Sequence, residues 1–206
     1  MERELTITKV APLKGALNLS YKEKFFEEES ADEINEVSMK CSRLYHPDFA
    51  NAFCELIPHL VLITEQEHDI EVINLITSWI DKGIESIDKD DKIFNDILNM
   101  YKPSMVVFKG SGEKESVSIQ GEKMLKKMHE FMGITTPAIK WTYGYTYMNE
   151  LKIVCDDIRH EAIEYLNGKK APDAQLSLMD ELDGTGVTTS DEKPAKSKRK
   201  QAAKEF

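Results

Sequence analysis

The chain has 206 residues and a mass of 23.6 kDa, with 41% apolar side chains and 37 acids against 27 bases, for a formal charge of −10. This balance predicts one soluble domain with room for an appendage, and it argues against nucleic acid coating the whole surface. No apolar run nears the roughly 18 residues of a membrane-spanning helix, the start Met1 to Leu5 lacks the order of a secretory signal, and three cysteines are too few and too odd for a disulfide framework, so a cytoplasmic protein is expected.

Leu5, Ile7 and, after a step, Val10 alternate with polar residues; Pro12 to Gly15 punctuates; Leu17, Leu19 and Tyr21 alternate again. The pattern predicts a β-hairpin. After a charged loop, Glu27 to Glu33, the residues Ile34, Val37, Met39 and Cys41 predict a third strand on the same sheet. His46-Pro47-Asp48 then opens a helix, because proline suits the first turn and aspartate complements the helix dipole. Phe49, Phe53, Leu56, Ile57 and Leu60 recur at helical spacing behind it, and Pro58 is expected to kink that helix.

From Asp69 to Tyr101 apolar residues return every three or four positions, with a break near Asp88 to Asp91. Two helices are predicted there, ended by Pro103. Met105 to Phe108, the turn Gly110-Ser111-Gly112, and Val117 with Ile119 predict a second hairpin. Met124, Leu125, Met128, Phe131 and Met132 fit a helix by spacing and a strand by alternation, and both readings stand. Ile134 to Tyr147 is β-branched and aromatic and predicts further strand. Leu151, Val154, Ile158, Ala162, Tyr165 and Leu166 line one stripe of a last helix, closed by Asn167-Gly168.

The expected fold class is α+β: antiparallel strands packed with helices, in two strand-then-helix halves with a helical insertion. Charge marks a boundary at Pro172. Residues 173–192 hold six acids and no base, residues 193–206 hold six bases against Glu205 alone, and 1–172 therefore carries −9. From Gly184 onward only Val187 and Phe206 are sizeable apolar residues, too few to offset the entropy of ordering, which predicts a disordered C-terminal tail. The domains expected are an acidic globular body, 1–172, and a flexible tail, 173–206, whose basic end is either a solubilising segment or a phosphate-contacting arm.

Each cysteine is followed five residues later by a histidine: Cys41 and His46, Cys54 and His59, Cys155 and His160. Five residues along a helix turn side chains about 140° apart, so the helical pairs would not face one zinc ion, and no metal site or cofactor is expected. Buried thiols with surface imidazoles are the expectation instead. No glycine-rich elbow flanks a cysteine and no phosphate loop is present. Asp156-Asp157 reads as a solvated helix face and Asp88 to Asp91 as an acidic loop without calcium-ligand spacing. The chain is therefore expected not to be an enzyme. Trp141, Tyr143, Tyr145 and Tyr147 stand at every second position; on one strand face, with Lys140 beside them, they would offer a stacking platform for single-stranded bases, or the same face would pack under the last helix.

Gln175-Leu176-Ser177-Leu178-Met179 resembles the pentapeptide, commonly Gln-Leu-Ser/Asp-Leu-Phe, with which bacterial polymerases, repair proteins and some phage proteins dock on the replicative sliding clamp. The resemblance implies that Leu178 and Met179 fill an apolar pocket, with Leu176 flanking and Gln175 supplying an amide hydrogen bond. The alternative is that Ala174 to Leu182 forms a last amphipathic turn on the body. The body, through its His-Pro-Asp-Phe helix entry, Leu-Ile-Pro-His-Leu, Val-Ser-Ile-Gln-Gly-Glu-Lys, Ile-Thr-Thr-Pro and Tyr-Leu-Asn-Gly-Lys-Lys-Ala, resembles small uncharacterised early-region proteins of tailed phages and prophages, which implies a replication or recombination setting.

Three functions follow as expectations. The first is a non-enzymatic phage or prophage accessory protein of DNA replication or recombination, in the host cytoplasm, that docks on the sliding clamp through Gln175, Leu176, Leu178 and Met179. Tail bases such as Lys198, Arg199 and Lys200 would then touch the encircled DNA. The second is a single-stranded nucleic-acid-binding module using Trp141 and the tyrosines, and the third an acidic protein that inhibits a host factor.

Overall fold

Residues 2–26 and 33–172 are described in the computed structural model. The chain divides between Ala171 and Pro172, and the architecture below is that of the first unit. Strands β1 (Glu2–Leu13), β2 (Ala16–Phe26) and β3 (Glu33–Lys40) come first. Helices α1 (Pro47–Cys54), α2 (Leu56–Ile63), α3 (Ile70–Lys82) and α4 (Lys92–Met100) follow. Strands β4 (Tyr101–Lys109), β5 (Ser116–Leu125), β6 (Glu130–Thr135) and β7 (Ile139–Lys140) then lead into helix α5 (Met148–Leu166). All the strands join one antiparallel sheet in the order β3-β2-β1-β4-β5-β6, and β7 pairs with β5. The expected class, α+β with two strand-then-helix halves around a helical insertion, is the one the chain adopts.

The first hairpin turns on Lys14 and Gly15, both at positive φ, which is the two-residue geometry whose twist matches paired strands. The step in the alternation between Ile7 and Val10 is a β-bulge, where the pairing with β2 shifts after Ile7. An extra residue at that point restores Val10 to the same face as Ile7.

His46 caps α1, its Nδ1 accepting from the Asp48 N–H at 3.3 Å, and Pro47 fills the first turn as expected. The helical run is interrupted at Glu55, three residues before Pro58. Proline has no N–H for the carbonyl four residues earlier and its ring crowds that carbonyl, so the break falls at the preceding turn. In α4, Asp91 accepts from the N–H groups of Ile93 and Phe94, which places the helix start inside the acidic loop. Pro103 does not end that helix. The helix stops at Met100, and Pro103 lies within β4 beside a second bulge, a place where a strand tolerates a missing donor.

The undecided stretch is strand: β5 runs to Leu125, turns through Lys126 to His129, and returns as β6. β6 ends at Thr135, and Pro137 separates it from β7. The buried Thr136 spans the gap, its N–H donating to the Ile119 carbonyl and its Oγ1 accepting from the Ile119 N–H, both at 2.9 Å. At the far end α5 closes with Gly168 at positive φ while Gly168 and Lys169 donate back to Tyr165 and Glu164, the paired-bond helix ending that glycine permits.

One sheet face carries the core. Ile7, Val10, Leu17, Leu19, Tyr101, Val106, Phe108, Val117, Ile119 and Ile134 are buried beneath α2, α4 and α5. Leu151, Cys155, Ile158, Ala162 and Tyr165 form the buried stripe of α5. At about 1.5–3 kcal/mol for each large apolar side chain buried, this layer dominates the stability of the body. α3 packs on α2 and α4, outside that layer.

Candidate nucleic-acid interface

Among the described residues no element covers the opposite face of the sheet. Strand pairing places Glu4, Thr6 and Lys9 of β1 beside Lys24, Lys22 and Ser20 of β2, and these in turn beside Ile34, Glu36 and Ser38 of β3, with Lys40 next along. Across the centre the same face carries Lys102, Met105, Val107 and Lys109 of β4, opposite Glu122, Gln120, Ser118 and Ser116 of β5. Met124 then meets Phe131, and Ser116 meets Lys140. None of these residues is buried.

Among the described side chains this face therefore gathers seven lysines (Lys9, Lys22, Lys24, Lys40, Lys102, Lys109, Lys140) against three glutamates (Glu4, Glu36, Glu122). Its local balance is positive on a body whose total is −9. Lys22 pairs with Glu36 at 2.8 Å, an exposed contact worth little. The Lys102 ammonium lies 4.5 Å from the Phe131 ring centroid and the Lys140 ammonium 5.8 Å from that of Tyr143.

β1 and β4 pair only at Lys9 with Val107 and Val10 with Val106. A groove of about 610 Å³ extends from β3 over β2 and β1 to the end of β4, lined by Thr6, Thr8, Lys22, Glu36, Ser38 and Lys109 among others. Gly110 shapes its rim: its φ is positive and a Cβ there would lie 2.5 Å from the Lys114 carbonyl oxygen, so only glycine fits. Lysine ammoniums and serine or threonine hydroxyls are the groups that contact a sugar-phosphate backbone.

The aromatic row expected after β6 is not a strand face. β7 stops at Lys140 because its partner β5 begins at Ser116, so Trp141 to Tyr147 continues as turns and the four rings share no strand face, though Tyr145 and Tyr147 meet edge to face at 6.0 Å. The Trp141 indole N–H donates to Glu115 Oε2 at 2.8 Å. Tyr145 packs edge-on against His59, its hydroxyl 2.9 Å from Nδ1. Tyr147 precedes α5, and only Tyr143 is largely exposed.

The cysteine and histidine pairs also disperse. Among the described residues no group of three His, Cys, Asp or Glu side chains is arranged to hold a metal ion. Burial pushes the thiols of Cys54 and Cys155 above their ordinary range, so they are protonated at neutral pH and poor nucleophiles. His59 corrects the expectation of surface imidazoles: it is buried on α2, and desolvation lowers its pKa to about 4. It borders a cleft of about 290 Å³ with Glu55, Trp79, Glu150, Ile153 and Asp157. Burial raises the Glu55 carboxyl above its ordinary value, opposed by the bond from Trp79 Nε1 at 2.5 Å. Asp156 and Asp157 are exposed on α5, as read.

Gln175, Leu176, Leu178, Met179, Lys198, Arg199 and Lys200 lie outside the described residues. The lysine face itself was missed in the sequence, although Lys22 and Lys24 two apart within β2 were its local trace. No helix among the described residues is long and apolar enough to cross a membrane. No protein-family model, curated protein or solved structure matches this chain.

Proposed function

We propose that this chain is a non-enzymatic nucleic-acid-binding accessory protein of phage or prophage DNA replication or recombination. The observation that carries the reading is the segregation of charge: among the described side chains, seven lysines and three glutamates on the sheet face that no described element covers, in a body of net charge −9. Solvation alone gives no reason for lysines from five different strands to share a face, whereas a polyanion lying across the sheet would engage them together. The acidic remainder keeps nucleic acid off the other surfaces, so net acidity and local binding are compatible.

Docking on a bacterial sliding clamp through Gln175, Leu176, Leu178 and Met179 belongs to the same proposal. It rests on the resemblance of that pentapeptide, and it would concentrate the lysine face near DNA.

Fluorescence anisotropy of labelled oligonucleotides against the full chain tests the first part. Affinity should fall with salt, and Lys102→Glu with Lys109→Glu should weaken binding and flatten the log-log salt slope by about 0.7 per lysine on single strands. Unchanged affinity in that double variant would remove the reading. For the tether, a peptide spanning 170–184 titrated into purified clamp should bind, and Gln175→Ala with Leu178→Ala should abolish it; no binding at high micromolar concentration would sink this part.

A further inference from the structure

Resting on that nucleic-acid reading, we infer that Phe131 is the base-stacking residue that makes the sheet face selective for single-stranded nucleic acid, while the groove that runs from β3 to the end of β4 holds the sugar-phosphate backbone. Phe131 is an apolar ring left 40% exposed on the uncovered face, opposite Met124 in the pairing of β5 with β6. The core lies on the other side of the strand, marked by the buried Ile134, so Phe131 contributes nothing to it.

The Lys102 ammonium lies over one face of the ring at 4.5 Å from its centroid, so a base stacks on the other face or displaces it, and the displaced cation is within reach of the adjacent phosphate. An aromatic ring with a lysine beside it is the element that reads unpaired bases, because every base has a π-face and duplex bases have theirs covered. Phe131 pairs with Met124 near the end of β5, whereas Lys109 of the groove pairs with Ser116 at its start, so the two lie about 27 Å apart along the strands and at least two spacings of about 4.8 Å apart across them. A single strand running obliquely along β4 and β5 spans that gap, passing the polar row of Ser118, Gln120 and Lys102. Trp141, held by Glu115, has no part in it.

The test uses the full chain with three labelled probes of about 12 nucleotides: oligo(dT), oligo(U) and a hairpin duplex. Phe131→Ala should weaken oligo(dT) binding about 5- to 150-fold, leave duplex binding within about twofold, and leave the salt slope unchanged, since no phosphate contact is lost. Phe131→Trp should retain or strengthen single-strand binding, which separates stacking from misfolding. Lys109→Glu should weaken single-strand and duplex binding together and lower both slopes. A weaker oligo(U) than oligo(dT) response would assign DNA as the ligand, and the reverse RNA, both in keeping with the inference. If the wild type binds and Phe131→Ala weakens duplex and single strand alike, or neither, the inference is overturned and the nucleic-acid reading stands. If the wild type binds no probe, both fall.

Discussion

Trp141 and Arg159 share one carboxylate: the indole N–H donates to Glu115 Oε2 at 2.8 Å and the guanidinium donates to Oε1. Glu115 immediately precedes β5, Arg159 lies on α5, and the guanidinium carbon stacks 3.9 Å above the Phe108 ring. The carboxylate thus ties the turn after β7 to the last helix. Arg159 and Glu115 are each only 20% exposed. Glu115→Ala should therefore cost about 2 kcal/mol in urea unfolding, since it leaves a largely buried cation only the longer pairing with the exposed Asp156 at 3.4 Å. Trp141→Phe loses one hydrogen bond and should cost about 1 kcal/mol while leaving oligonucleotide affinity within about twofold.

At Gly121 the helical layer lies directly against the sheet backbone. A Cβ there would sit 2.6 Å from Leu60 Cδ2 and 2.8 Å from the Lys102 carbonyl oxygen. Leu60 is fully buried and the second obstacle is backbone, so neither moves cheaply. Gly121→Ala should destabilise by about 2–3 kcal/mol, read as a lower urea midpoint with an unchanged slope.

His59 gives the fold a pH dependence. In the unfolded chain its imidazole protonates near pH 6.5, whereas in the fold burial holds it neutral to about pH 4. Between those values the unfolded state binds the extra proton, so stability falls as pH drops from 6.5 to about 4, by about 3 kcal/mol in total, and then levels off. Glu55 beside the same cleft acts oppositely: its carboxyl is raised from 4.5, so its contribution weakens the fold as pH rises through that value. Subtracting the stability of His59→Gln from that of the wild type at each pH isolates the histidine term. A flat difference between pH 7 and 4 would refute it.

A buried trio pins the segment after α2 to the sheet. The hydroxyl of the fully buried Tyr101 donates to Glu67. Lys123 pairs with the same carboxylate at 3.1 Å and donates to the Gln66 carbonyl at 2.7 Å. Burial first, then the bond to Glu67, pushes the Tyr101 phenol up, so it remains a donor at any working pH. Tyr101→Phe leaves the ion pair intact and should cost about 1 kcal/mol. Lys123→Met leaves the Glu67 carboxylate without its cation and should cost about 3 kcal/mol. Thermal melts of both variants order the two effects, and a smaller loss for Lys123→Met would contradict this account.

Local chemistry made much of the fold readable. Alternation marked β1, β2 and β3, and even the skipped position before Val10 carried the bulge. The His46-Pro47-Asp48 start and the Asn167-Gly168 end set helix termini through groups bonded within a few residues. Expectations failed where a distant partner decided the outcome. Trp141 to Tyr147 has strand composition, yet a strand needs a neighbour, and β5 offers none beyond Ser116. His59 reads as an ordinary helical histidine, and only the packing of Tyr145 on it and the closure of the helical layer bury it.

The sequence by itself determined the α+β class, the helix caps, the first hairpin turn and the division of charge between body and tail, because each depends on residues that are neighbours along the chain. Only the tertiary structure decided that Lys9, Lys22, Lys24, Lys40, Lys102, Lys109 and Lys140 share one uncovered face. That face is assembled by register between strands up to about a hundred residues apart in the chain, and a net charge of −10 conceals it.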